Sequence, residues 1–212
     1  MFNHVQNNDF TDIVKGRRSV RNYDESYKIS REEIKEMISE ASLAPSSANM
    51  QPWRIVIVDT SEGKDKLTPL VQFNTLQNNS SSAMLLIFGD TQSYLYAEEI
   101  YNTAVEQGKM PPDVRDRQLE TILSIFPTLT KEMKVEIAKI DSSLFAMQLM
   151  LVARAHGYDT NPMAGFEADQ LARAFDLDEE RYIPVMMISI GKAKEEGYES
   201  VRLGSDKFTF WA

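Results

Sequence analysis

Within residues 131–156, Ile137, Ile140, Leu144, Met147 and Leu151 recur at 3-4 spacing, and Phe145, Leu149, Met150 and Val152 fill most of the remaining circumference. A helix that is apolar nearly all round must be covered on several sides, inside a large core or between subunits. Its richest stretch, Leu144 to Ala153, falls short of the ~20 apolar residues that a bilayer span requires. The rest of the chain, or a second subunit, must therefore supply partners for this helix. With 42% hydrophobic and 26% charged residues in 212, there is enough apolar material to do so.

The other elements carry their own punctuation. Asp9 caps a short helix bearing Phe10, Ile13 and Val14, with Gly16 past its end. Ser30 and Glu33 form a capping box for a second helix with Ile34, Met37, Ile38 and Ala41 on one face, stopped by Pro45. The runs 54–58, 83–88 (ending at Gly89) and 184–191 read as buried strands. Helix is expected in parts of 62–79, over 94–126 with a break at Pro111-Pro112, and over 167–175. The tail Lys207-Phe208-Thr209-Phe210-Trp211 alternates like a strand and is too apolar for a free end, so a docking place, a partner subunit among the candidates, is expected for it. About four strands among more numerous helices make an α+β layered architecture. No repeat or linker divides 1–212, which reads as a single domain with a helical excursion over 91–130.

Composition removes several kinds of chemistry. The chain has no cysteine, hence no disulfide, thiolate nucleophile or zinc–thiolate site. A net charge of −9 argues against nucleic acid or anionic membrane as a partner. Its two histidines, His4 and His156, leave little for metal or triad chemistry, and His156 before Gly157 suits a cation at a helix C-terminus. The N-terminus MFNHVQNNDF lacks a charged-then-apolar leader, so a cytoplasmic place is expected. The nine glycines take neither dinucleotide-fingerprint nor P-loop spacing.

Four segments could hold a ligand. Arg17-Arg18-Ser19-Val20-Arg21 sets three guanidinium groups and a hydroxyl in an acidic chain; these suit phosphate, or equally a solvated helix end. Pro45-Ser46-Ser47-Ala48-Asn49-Met50-Gln51-Pro52-Trp53 crowds hydroxyls and amides that both donate and accept, as the edge of a heteroaromatic ring requires, although a helix stop and turn would use the same residues. In Phe73-Asn74-Thr75-Leu76-Gln77 the two amides share a helical face, which is most often a surface feature. Asn161-Pro162-Met163-Ala164-Gly165-Phe166 reads as a turn ahead of a helix whose small residues let a ligand approach backbone N–H groups. Arg202 is a further cation beyond the last strand.

Taken in order, RRSVR, PSSANMQPW, FNxxQ and GYDTNPMAGF resemble the nitroreductase family of FMN-dependent oxidoreductases, over roughly residues 10 to 211. The resemblance implies a central, mainly antiparallel sheet flanked by helices, in an intertwined homodimer with FMN at the subunit interface. It implies phosphate and ribityl contacts from Arg17 and Ser19 within the Arg17–Arg21 cluster (Arg18 included), and a basic group near flavin N1/O2 from Arg21. Asn74 and Gln77 would meet the pyrimidine edge and Arg202 the phosphate. Pro45, Ser46, Ser47 and Asn49 would reach the other subunit's flavin, and Pro162, Met163, Ala164 and Gly165 would lie along the isoalloxazine, a backbone N–H facing N5. Some members carry an acidic residue in place of Ala164 and lysine in place of Gln77, which leaves Arg21 as the electrostatic support near N1.

The implied reaction is hydride transfer from NADH or NADPH through flavin N5 to a nitroaromatic, quinone or similar conjugated electrophile, in a ping-pong cycle. The nicotinamide would bind transiently, which agrees with the missing fingerprint. No catalytic side chain is required, since the flavin carries the chemistry. The alternatives are a flavin-binding storage, sensor or regulatory protein without turnover, and a helical interaction domain without cofactor.

Overall fold

A computed structural model describes residues 4–212. Twelve elements of regular structure longer than one turn follow in the order α1 (Phe10–Gly16), α2 (Arg31–Ala41), β1 (Trp53–Val58), α3 (Ser61–Leu67), α4 (Thr75–Ser80), β2 (Ala83–Asp90), α5 (Ala97–Glu106), α6 (Pro112–Ile125), α7 (Lys131–Ala155), β3 (Asp159–Met163), α8 (Ala168–Ala174) and β4 (Tyr182–Gly191). The four strands form one sheet in the order β1-β2-β4-β3, every neighbouring pair antiparallel. This is the expected α+β arrangement.

Strand β2, AMLLIFGD, is buried along its whole length. Successive side chains of a strand point to opposite faces, so a strand without a polar face needs cover on both sides. Leu85 and Ile87 join a core with Ile34 and Met37 of α2 and Phe145, Ala146 and Leu149 of α7. Met84, Leu86 and Phe88 join a second core with Leu67, Leu70, Val71 and Leu171. The result is three layers, helices on either side of the sheet. Trp53 at the start of β1 stacks on Phe145, ring centroids 5.1 Å apart.

α7 meets the expectation in an uneven way. Ala138, Phe145, Ala146, Leu149 and Ala153 face the core. Ile140, Leu144 and Met147 form an outer stripe that is 53%, 44% and 44% exposed. The all-round apolar pattern thus combines a core face with an uncovered one.

Two expectations fail. The segment expected as a turn at 161–166 begins as strand β3, whose residues Asp159-Thr160-Asn161-Pro162-Met163 are poor strand formers. It is tolerated because β3 lies at the sheet edge, where a proline costs no ladder bond on its outer side. The tail 207–211, which alternates like a strand, instead follows a single turn, Ser205–Lys207, and among the described residues pairs with no strand. A strand without a neighbour has no ladder to join. Phe210 and Trp211 are 91% and 95% exposed.

His156 caps α7 as expected, with Gly157 beyond it at φ +78°, but it is fully buried. Its Nδ1 lies 3.4 Å from Glu33 Oε1 and its Nε2 3.3 Å from both Glu40 carboxylate oxygens. Tyr158 O–H donates to Glu33 Oε2 at 2.8 Å. The imidazole therefore locks α2 onto the end of α7. His156→Ala would leave two buried carboxylates without their shared partner, and should lower the unfolding free energy by about 3–5 kcal/mol. Urea denaturation measures this; a loss below about 1 kcal/mol would show that the carboxylates find water instead.

Candidate functional site

The edge strand β3 assembles the site. Val20 N–H donates to Thr160 O at 3.1 Å and Ser19 bridges Thr160, so the 17–21 segment runs along the outer edge of β3. Chain that leaves β3 at Met163 turns back onto the 70–77 region. Glu167 N–H donates to Leu70 O at 2.9 Å, Gln72 Nε2 to Glu167 Oε1 at 3.0 Å, and Asn74 Nδ2 to Gly165 O at 2.8 Å. Between these segments lies a cavity of about 510 Å³, lined by Arg21, Phe73, Asn74, Leu76, Gln77 and residues 161–165.

Asn74 and Gln77 are not surface amides. They are 6% and 5% exposed, with Gln77 Nε2 donating to Asn74 Oδ1 at 3.2 Å. Neither of these bonds uses Gln77 Oε1. The amide relay ends on a backbone carbonyl beside the small residues Ala164 and Gly165. A planar ligand edge with alternating donors and acceptors would find matching groups there.

Arg17 is half-buried, and its pKa is held below the usual arginine value by burial first, then by the nearby charges of Arg202 and Arg18. Among the described residues no carboxylate pairs with it. An anion bound among these guanidinium groups would offset their mutual repulsion and accept charge-assisted hydrogen bonds. Arg202 Nη1 donates to Ser200 Oγ at 2.6 Å. Arg18 turns aside: its Nη1 donates to Lys15 O and Arg17 O at the end of α1, as a residue solvating a helix terminus does, and its side chain lines a separate groove with Glu195, Glu196 and Glu199. Arg21 stays exposed at the cavity, its guanidinium 5.9 Å from the Tyr198 ring.

The remaining predicted residues, Pro45, Ser46, Ser47 and Asn49, lie elsewhere. They precede β1, at the sheet edge opposite β3. With β2 and β4 between, about 14 Å of sheet separates the two edges, at ~4.8 Å per strand. Asn49 and Gln51 instead border a cavity of about 600 Å³ with Tyr96, Ile100, Thr103 and Gln107 of the α5 region. Within one chain, the sequence-predicted residues thus form two groups. Phe73, Leu76 and Asn161, which belong to the ligand-type segments but carried no role of their own in the sequence reading, line the first cavity as well; Phe73 is an exposed aromatic.

The nitroreductase family model matches residues 14–192. A Bacillus subtilis protein named as an NAD(P)H nitroreductase, YdgI, is 51% identical over 207 residues, covering 98% of this chain and 99% of its own. The chain belongs to the nitroreductase family. The enone reductase of CLA biosynthesis from Lactiplantibacillus plantarum is 42% identical, covering 94% and 92% of the two chains. A nitroreductase-type protein of Exiguobacterium sibiricum, crystallised in complex with FMN, matches with a TM-score of 0.95 and 52% identity over 98% of this chain and 100% of its own. The nitroreductase fold therefore accounts for the whole sheet and its helical layers.

Because the Arg17 cluster is crowded with like charges, Arg17→Met should leave the ligand-free protein as stable or raise its unfolding free energy by a few tenths of a kcal/mol. Chemical denaturation of flavin-stripped protein checks this. A loss above about 1 kcal/mol would mean that Arg17 serves the fold and not an anion.

Proposed function

We propose that this nitroreductase is an FMN-dependent oxidoreductase that carries reducing equivalents from NADH or NADPH to a conjugated electrophile, a nitroaromatic, quinone or enone, at sites shared by two copies of the chain. One observation carries this reading: a short segment, 17–21, joins unpaired guanidinium charge to a cavity whose far wall is a buried amide relay. Phosphate at one end and a hydrogen-bonding ring at the other are what those donors fit. When bound, FMN supplies the atom that accepts and releases hydride, N5, and the protein supplies orientation, charge and exclusion of water.

Each residue then has a task. Arg17 and Arg202 hold the phosphate by charge-assisted hydrogen bonds, and Ser19 adds a neutral donor beside them. Arg21 at the cavity favours negative charge on the pyrimidine side of the ring. Asn74 and Gln77 read that edge. Pro162, Met163, Ala164 and Gly165 offer backbone at close range, since Ala164 and Gly165 carry little or no side chain. Donor and electrophile use one open face in turn, which suits a chain with no dinucleotide fingerprint. Arg18 drops out of direct cofactor contact, because its guanidinium is engaged with the α1 carbonyls.

Pairing of two copies explains what one chain leaves open. The 45–49 loop cannot reach its own cavity across the sheet, but it can serve the cavity of a second copy. Covering the stripe of Ile140, Leu144 and Met147, together with exposed Leu43, would bury apolar surface that a monomer wets. The apolar tail, bare on its own chain, gains a place on the partner. A cytoplasmic setting, where nicotinamides are supplied, completes the proposal.

Purified protein should show visible flavin absorption, or gain it with FMN, and the band should bleach anaerobically on adding NADH or NADPH and return with an electrophile. A protein that stays colourless with FMN would end the cofactor reading, and flavin that neither nicotinamide reduces would favour a storage or sensor protein. Truncation after Leu203 should convert dimer to monomer in light scattering; an equally stable dimer would show that the tail docks without holding the pair.

A further inference from the structure

The loop before β1 is held in a shape that its residues do not favour. Ala48, Asn49 and Gln51 have φ of 50°, 56° and 47°. The left-handed region costs a residue with a Cβ roughly 1–2 kcal/mol, less for asparagine. Three such residues among four persist only if the surroundings over-determine them.

Those surroundings are visible on three sides. From α7, Asp141 accepts from Ser47 N–H at 2.9 Å and from Ser47 O–H at 3.2 Å. Asp141 is 2% exposed, and burial raises its carboxyl pKa against the lowering effect of the two Ser47 bonds. From α5, Tyr101 O–H donates to Ala48 O at 3.0 Å, and its ring packs with Met50, Ala97 and Ile122 in a small core. From β1, Arg54 Nη1 donates to Gln51 O at 2.9 Å and Trp53 O at 2.8 Å, while its Nη2 sits 3.0 Å from buried Asp90. Asp90 is fixed in turn by Arg181 through two bonds of 2.8 Å.

We propose that Asp141 and Tyr101 are positioning residues for the flavin, clamping residues 47–51 from opposite helices so that the loop meets the partner's cofactor already shaped. The inference rests on the reading that this loop serves the cofactor of a second copy. It also changes one role: both donors of Ser47 are spent on Asp141, so Ser47 shapes the loop, and the Asn49 amide nitrogen, whose partner oxygen Oδ1 accepts from Gln51 Nε2 at 3.4 Å, is left to donate to the ligand. The helical excursion gains a function as well, since α5 holds the loop through Tyr101. Preorganisation of this kind raises affinity by removing the cost of ordering the loop on binding.

The test is FMN titration of flavin-stripped full-length protein, followed by fluorescence quenching, with urea denaturation of the same samples. Tyr101→Phe keeps the ring in its core and removes only the O–H; it should leave unfolding of the stripped protein nearly unchanged and raise the FMN Kd about five-fold, the value of one hydrogen bond. Asp141→Ala should raise Kd by more than about ten-fold, and Asp141→Asn, which can still accept from Ser47 N–H, should recover most of it. Wild-type Kd in Tyr101→Phe and Asp141→Ala, with Arg17→Met weakened, would overturn the clamp and leave the cofactor site standing. Wild-type Kd in Arg17→Met as well would overturn both. Equal losses in Asp141→Ala and Asp141→Asn would overturn the role given to the Ser47 N–H bond.

Discussion

Strand β2 is the constraint on which the rest of the structure depends. All eight of its residues are buried, so its backbone N–H and C=O groups have no water to turn to and must be paired on both sides. β1 and β4 supply that pairing. Its side chains then require two apolar layers. α2 and α7 supply one, and the segment from α3 to α4 together with α8 supplies the other. With the centre of the sheet committed to packing in this way, polar ligand groups are left to the edges.

The two edges became the two halves of the proposed site. At β3, a weak strand containing proline leaves an outer edge onto which the 17–21 segment lays itself, and the cavity forms where β3 gives way to small residues. At β1, the strand is preceded by a loop whose shape is imposed by α5, α7 and Arg54. The same sheet that builds both halves keeps them apart. In the proposed pairing a second copy resolves the separation, and the apolar stripe of α7 is the surface it would cover.

The buried polar groups fall into two kinds. Glu33, Glu40, His156 and Tyr158 satisfy one another and close the joint between α2 and α7, as do Asp90, Arg54 and Arg181 at the ends of β1, β2 and β4. Arg17 differs: it is partly buried beside the like charges of Arg202 and Arg18, and among the described residues no carboxylate pairs with it. The first kind is satisfied within the fold, whereas the proposed function gives the second an anionic ligand as its missing partner.

The sequence by itself determined the elements whose cause is local: the capped helices at Asp9 and Ser30, the β-branched and apolar strands 54–58, 83–88 and 184–191, and the order of the four ligand-type segments. Those follow from side-chain period and capping, which neighbours in the chain settle among themselves. Only the tertiary structure decided that Asp159–Met163 is a strand, because its pairing with β4 overrides poor propensity. Only it showed that Asn74 and Gln77 are buried, that Arg18 is spent on helix carbonyls, and that His156 is a joint and not an exposed cap. Each of these depends on partners distant in sequence, and Asp141 and Tyr101, 94 and 53 residues from the loop atoms they hold, are the clearest case. Nothing in their own neighbourhoods distinguishes them; the hydrogen bonds exist only once α5 and α7 have packed against the entrance to β1.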